Sequence, residues 1–154
     1  MKHRKHRKPA GKFLESCTEV QVRFQEVDAL RIVWHGHYLS YFESARVAFG
    51  QQYGLNYTDF VNAQLVVPVV QASCDYIRSA SFQDTLRVTA RLYKQDVAKL
   101  RYYFEVHRAS DDALLAVGET VHVFMRMDDS LCLTTPEFMT DWYVRWEPEM
   151  REDV

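Results

Sequence analysis

The chain has no apolar run approaching the ~18 residues that a membrane-crossing helix needs. It has no excess of positive charge either: 19 Lys and Arg stand against 21 Asp and Glu, for a net charge of −2. An overall basic field, the electrostatic footprint of a nucleic-acid binder, is therefore lacking. Cysteine is scarce and its spacing carries no pattern. Cys17, Cys74 and Cys132 are odd in number and form no C-x-x-C pair, so they read as reduced thiols of a cytoplasmic protein. No internal repeat or low-complexity segment occurs. The basic opening Met1-Lys-His-Arg-Lys-His-Arg-Lys8-Pro9 is not followed by an apolar stretch, which excludes a secretory signal. It reads as a solvated tail over residues 1–12, with an anionic surface as the alternative contact.

What remains is 154 residues of ordinary globular composition, 47% apolar and 26% charged. That length suits one domain with a sizeable core, placed at residues 13–154. Residues 17–26 alternate, with Val20, Val22 and Phe24 on one side, and predict a half-buried strand. A loop follows over residues 27–36. From His37 to Tyr53 the apolar positions Tyr38, Tyr41, Phe42, Ala45 and Phe49 recur at helical spacing, and Gly54 is a natural stop. Glu43 is a candidate acid or base on the remaining face, or else the partner there of Arg46, three residues on. The rest predicts strands. Residues 66–77 are β-branched with Pro68 near the start. Residues 85–93 turn Leu86, Val88, Ala90 and Leu92 one way, and residues 99–108 do the same with Leu100, Tyr102, Phe104 and Val106. Residues 114–127 are expected to face the core through Leu115, Val117, Val121, Val123 and Met125. Thr135-Pro136-Glu137 predicts the start of a short helix through Trp142. Hairpin-like spacing favours an antiparallel sheet. The order is strand, long helix, four strands. That predicts an α+β fold in which a curved sheet wraps one apolar helix.

Asp28 holds the most chemistry. It follows an extended run and precedes a helix whose first N–H groups lack intrahelical partners and carry partial positive charge. A carboxylate beside such donors can attack a carbonyl held there, or activate water against it. The same aspartate in the same place also suits a plain turn, because its side chain bonds nearby backbone. His35 and His37 are a candidate proton donor and a substrate-orienting group, or backbone-bonding loop residues. With Asp28 they are also a formal two-His, one-carboxylate metal set. Two residues apart on a helix do not share a face, which weighs against that set. Glu26 reads as an exposed strand residue, Cys74 as inert packing, and His107 and His122 as surface or interface residues.

The run from Phe24 to Arg46 resembles the signature of hotdog-fold acyl-CoA thioesterases. The branch is that of 4-hydroxybenzoyl-CoA thioesterase and the Tol–Pal-associated thioesterases. The matching residues are Asp28, Ile32, Val33, Trp34, His35, Tyr38, Leu39, Glu43, Ala45 and Arg46. The segment from Cys74 to Asp84 is similar in a more generic way, and the likeness spans about residues 17–127. It implies a hotdog fold, a homodimer or homotetramer with sites between subunits, and no cofactor or metal. It also implies an acyl-CoA or acyl-carrier-protein thioester as substrate. It places the catalytic carboxylate on Asp28 and the carbonyl-polarising N–H at His35, with Gly36 and Tyr38 beside the substrate. Lys94, Lys99 and Arg101 are nominated for the CoA phosphates from charge and strand position. One departure stands out: the glycine usual in the loop is replaced by Leu30-Arg31, which suggests a less open loop. A hotdog dehydratase or hydratase and a non-catalytic acyl-thioester binding module are the alternatives. The seven-residue step from Asp28 to His35 fits the thioesterase better.

Overall fold

The computed structural model describes residues 8–153. Its first strand, β1 (Lys12–Gln21), starts earlier than the alternation suggests. Pro9 is already buried, and Lys8 pairs with Glu105 at 3.4 Å. The tail expected to run to residue 12 is thus part of the folded body from about Lys8. Residues 1–7 lie outside the described residues. After Gln21 the chain leaves the sheet. Phe24–Glu26 form a 3-10 turn in place of the predicted strand end, and Phe24 is 79% exposed.

The long helix α1 (Tyr38–Tyr53) buries Tyr38, Tyr41, Phe42, Ala45 and Phe49, the stripe its spacing predicts. It ends on Gly54 at φ 75°, whose N–H returns to the Gly50 carbonyl at 2.9 Å. A short α2 (Tyr57–Asn62) follows, absent from the sequence expectation. Then come β2 (Leu65–Val66), β3 (Val69–Tyr76), β4 (Thr85–Tyr93), β5 (Lys99–Arg108), β6 (Leu114–Val123) and β7 (Met125–Arg126). The chain closes with α3 (Glu137–Trp146) and β8 (Arg151–Glu152).

Six strands form one antiparallel sheet in the order β3-β6-β5-β4-β1-β8. β2 and β7 make a separate two-stranded ribbon, so the predicted strands at 66–77 and 114–127 each split in two. The concave face of the sheet holds α1. This is the hotdog fold. Leu86, Val88, Ala90 and Leu92 of β4 and Leu100, Tyr102, Phe104 and Val106 of β5 are all buried, as their alternation predicts. The Phe42 ring stacks on Phe104 with centroids 4.6 Å apart.

β6 departs from expectation. Its register with β5 shifts between Val106 and His107, a bulge that puts Leu115 and Ala116 in the main core together. Parity beyond the bulge is reversed. Val117 joins a small cluster with Phe13, Tyr93 and Tyr103 away from the main core. Gly118, Thr120 and His122 face α1. A Cβ at Gly118 would lie 2.3 Å from the Phe42 ring, so the glycine makes room for the helix. His122, expected near the surface, is fully buried. Its Nδ1 faces the Val67 carbonyl at 3.5 Å and its Nε2 faces the Thr120 hydroxyl at 3.0 Å. A carbonyl only accepts, so Nδ1 carries the proton and Nε2 accepts from Thr120. Burial, with the Arg46 charge, holds the ring down to a pKa of about 4. The expected Glu43–Arg46 ion pair is not formed. Glu43 stays exposed, and Arg46 is half-buried at the edge of the helix stripe.

α3 packs Met139, Trp142 and Tyr143 into the core. The Trp142 indole N–H donates to the Tyr53 carbonyl at 2.7 Å, satisfying one of the acceptors left over at the end of α1. No helix among the described residues is long and apolar enough to cross a membrane.

Candidate active site

The loop after β1 folds into a tight hairpin. Val27 and Val33 bridge, the Asp28 N–H donates to the Ile32 carbonyl, and the Arg31 N–H donates to the Asp28 carbonyl, both at 3.0 Å. This is a type I turn closed by a left-handed residue, the usual build of a three-residue hairpin loop. Arg31, at φ 65°, occupies the left-handed position. The departure noted in the sequence therefore leaves the loop closed in the geometry that glycine favours.

Two bonds fasten the hairpin to its surroundings. The Val33 N–H donates to the Ala80 carbonyl and the Trp34 N–H to the Glu26 carbonyl, both at 2.9 Å. Glu26 is not the exposed strand residue expected. It is half-buried in the 3-10 turn, and its Oε1 accepts from the Tyr41 hydroxyl at 3.1 Å and the Arg23 N–H at 2.8 Å. It thereby braces the base of the hairpin against α1. Tyr41's phenol is pushed well up, first by burial and then by the Glu26 charge.

Asp28 is half-buried at the hairpin base. Its Oδ1 accepts the Leu30 N–H at 2.8 Å, the turn-type bond foreseen for it. That bond orients the carboxylate and uses one oxygen, leaving the second for chemistry. His35–His37 form a second 3-10 turn that leads directly into α1, which begins at Tyr38. The N–H groups of His35 and Gly36 stand ahead of the first helical hydrogen bond. Neither donates to an acceptor among the described residues. Gly36 carries the Trp34 ring, which would lie 2.1 Å from a Cβ at that position.

Asp28, Val33, His35, Tyr38, Tyr76 and Arg78 line one cleft of about 230 Å³. The structure thus brings together Asp28, His35 and Tyr38, three residues singled out in the sequence, with Gly36 next to them. Burial raises the Tyr38 phenol and keeps it protonated. His35 is exposed and meets the rings of Trp34 at 4.9 Å and Tyr76 at 6.2 Å. Tyr76 was missed by sequence reasoning. Its signal was faint: an aromatic residue closing a β-branched run.

Lys94, Lys99 and Arg101 do not join this cleft. They stand where β4 ends and β5 begins, whereas Asp28 lies beyond the end of β1 that pairs with Thr85. The β4 strand between them is about 27 Å long at the usual rise per residue. Lys94 is bound to Glu147 at 2.6 Å, and Arg101 meets Glu119 through Nε at 3.1 Å and Nη2 at 2.8 Å. Within one chain the cations nearer the cleft are Arg78, in its wall, and Arg31, on its loop. No group of three His, Cys, Asp or Glu side chains close enough to hold a metal ion occurs among the described residues, so Asp28, His35 and His37 do not form such a set.

A larger hollow of about 620 Å³ lies between α1, α2 and the β2–β3 link, and shares no residue with the Asp28 cleft. Arg46, Leu55, Phe60 and Val67 are among its walls.

A sheet-wrapped helix with a carboxylate loop at its N-terminus defines a class, and comparison with known proteins gives it a family. Residues 22–143 match the thioesterase-like superfamily, and the chain belongs to it. A provisionally assigned esterase of Aquifex aeolicus is 28% identical over 106 residues, 69% of this chain and 81% of that protein. A provisionally assigned acyl-CoA thioesterase of Bacillus subtilis is 22% identical over 86% of this chain and 95% of its own. The solved DHNA-CoA thioesterase of Staphylococcus aureus superposes with a TM-score of 0.77 at 22% identity, covering 88% of this chain and 90% of that one.

Proposed function

We propose that this protein hydrolyses acyl- or aryl-CoA thioesters to the free acid and CoA. The observation that carries the proposal is that Asp28 and His35 line one cleft, with the N–H groups of His35 and of the adjoining Gly36 unclaimed among the described residues. The thioester carbonyl oxygen would sit on those N–H groups. Asp28 would supply the attacking electron pair, as nucleophile or through a water molecule whose proton it takes. As the new C–O bond forms, the carbonyl pair moves onto oxygen, where the N–H donors hold it. Collapse re-forms the carbonyl and breaks the C–S bond. The thiolate leaves and takes up a proton. On the direct route water then hydrolyses the acyl–Asp28 anhydride. No metal or cofactor is needed for this sequence, since CoA thiol is itself the leaving group.

A second copy of the chain fits the same proposal. Among the described strands, β3 is hydrogen-bonded to β6 alone. Val69 and Val70 on it are 47% and 56% exposed, and Ile77 just beyond its end is 50% exposed. Exposed apolar residues along a strand at the margin of a sheet are a pairing surface, which supports a homodimer or homotetramer. An acyl carrier protein could present the same thioester. The three cysteines are free thiols, which suits the cytoplasm.

The test is free-thiol release across a panel of straight-chain, branched and aromatic acyl-CoAs. The proposal expects turnover on at least one class. Saturable binding without thiol release would favour a binding module. Formation of hydroxyacyl-CoA from an enoyl-CoA without thiol release would favour a dehydratase.

A further inference from the structure

Tyr76 ends β3, forty-one residues from the turn it touches. Its hydroxyl donates to the His35 carbonyl oxygen at 2.7 Å. That carbonyl and the Gly36 N–H are the two ends of a single peptide unit. A planar amide is conjugated. A hydrogen bond accepted at its oxygen draws charge from nitrogen and strengthens the N–H as a donor. Such polarisation along a chain of hydrogen bonds is on the order of 10–30% per bond. The Gly36 N–H has no other duty among the described residues.

We infer that Tyr76 is a positioning residue for thioester hydrolysis: its phenol fixes the His35–Gly36 peptide and strengthens the Gly36 N–H toward the substrate carbonyl. The inference rests on the thioesterase reading of the Asp28 cleft.

The geometry around Tyr76 suits the task. Its ring meets Tyr38 edge-to-face at 5.1 Å and His35 at 6.2 Å, which restricts where the hydroxyl can point. Burial raises the phenol to a pKa of about 12, with the neighbouring Cys74 thiol acting in the same direction. The group is therefore a neutral donor at neutral pH. The bond also ties the turn to the sheet, so the donor position does not depend on the hairpin loop alone. Asp28 and Tyr76 act at opposite ends of the reacting carbonyl, one on carbon and one, through the peptide, on oxygen.

The experiment compares wild type with Tyr76→Phe, which keeps the ring and removes the hydroxyl. The expected result is a kcat lower by about 3- to 10-fold, well short of the ~10²–10³ lost with a whole oxyanion donor. KM should stay within about twofold and the melting temperature nearly constant. A second readout is the infrared carbonyl stretch of a thioester bound to Asp28→Asn protein, which holds it without turnover. Adding Tyr76→Phe should move that band back toward the frequency of the free thioester. An unchanged kcat overturns the inference, as does a loss of kcat with the band unmoved, since packing alone would produce that. Failure of wild type to release thiol from any acyl-CoA overturns the thioesterase reading, and the inference with it. Activity in wild type with no effect of Tyr76→Phe overturns the inference alone.

Discussion

The Arg31 N–H donates to the Asp28 carbonyl across 3.0 Å, and Arg31 does so with a φ of 65°. The residue that shapes the Asp28 loop is thus a side-chain-bearing residue in a conformation that costs about 1–2 kcal/mol without glycine. Arg31→Gly removes that strain. It also adds freedom to the unfolded chain, at a cost of about 0.5–1 kcal/mol. The net expectation is a gain of about 0.5 kcal/mol, seen as a small rise in the denaturant midpoint with the slope unchanged. A clear fall in the midpoint would mean that the Arg31 side chain contributes contacts worth more than the strain.

Gly118 should resist substitution. A Cβ there meets the Phe42 ring at 2.3 Å and the Ser73 carbonyl oxygen at 2.5 Å, and the second is backbone that cannot swing away. Overpacking of this kind costs about 1–3 kcal/mol. Gly118→Ala is expected to lower the melting temperature by roughly 4–8 °C, the shift of about 2 kcal/mol in a domain of this size. An unchanged melting temperature would show that α1 moves off β6 freely.

Acid should destabilise the fold through His122. The buried ring has a pKa of about 4, below the ordinary imidazole value of 6.5. Between these values the unfolded chain binds the proton and the folded chain does not. Stability is therefore full above pH 6.5 and falls as the pH drops toward 4, by about 3 kcal/mol in total. Glu147, held at about 2 by Lys12 and Lys94, acts in a lower window, from 4.5 downward. His122→Gln should flatten the stability profile between pH 6.5 and 4. An equally steep profile in that variant would assign the acid limb to other groups.

Much of this was legible in the sequence because the periodic elements are long. The α1 stripe and the alternation of β4 and β5 each repeat over several residues, and each was recovered with its buried face. The failures have local causes. The bulge facing Val106 and His107 reverses parity in β6, and β-branched Val117, Val121 and Val123 masked that reversal. Its inward residues are Gly118, Thr120 and His122, which look like surface residues by composition but are fitted to the passage of α1. α2 left a readable mark in Asn56-x-x-Asp59, whose side chains cap the helix at 3.1 and 2.9 Å. It was overlooked because six residues show no periodicity. In the candidate site, Asp28 and His35 were nominated through a motif. Tyr76 was not, because its partner is a backbone carbonyl forty-one residues away. Lys94, Lys99 and Arg101 were nominated from charge and strand position, and neither says at which end of the sheet the Asp28 cleft lies.

In the proposed reaction the second oxygen of Asp28, the one not tied to the Leu30 N–H, makes the attack or takes the proton of water. Asp28→Asn keeps the shape and the bond from Leu30 and removes the negative charge. The direct measurement is the single-turnover rate of thiol release from the best acyl-CoA, in wild type and Asp28→Asn of matched melting temperature. The account predicts a fall of at least about 10²-fold, in the range of a lost general base or nucleophile. Thiol release at the wild-type rate in the variant would contradict it.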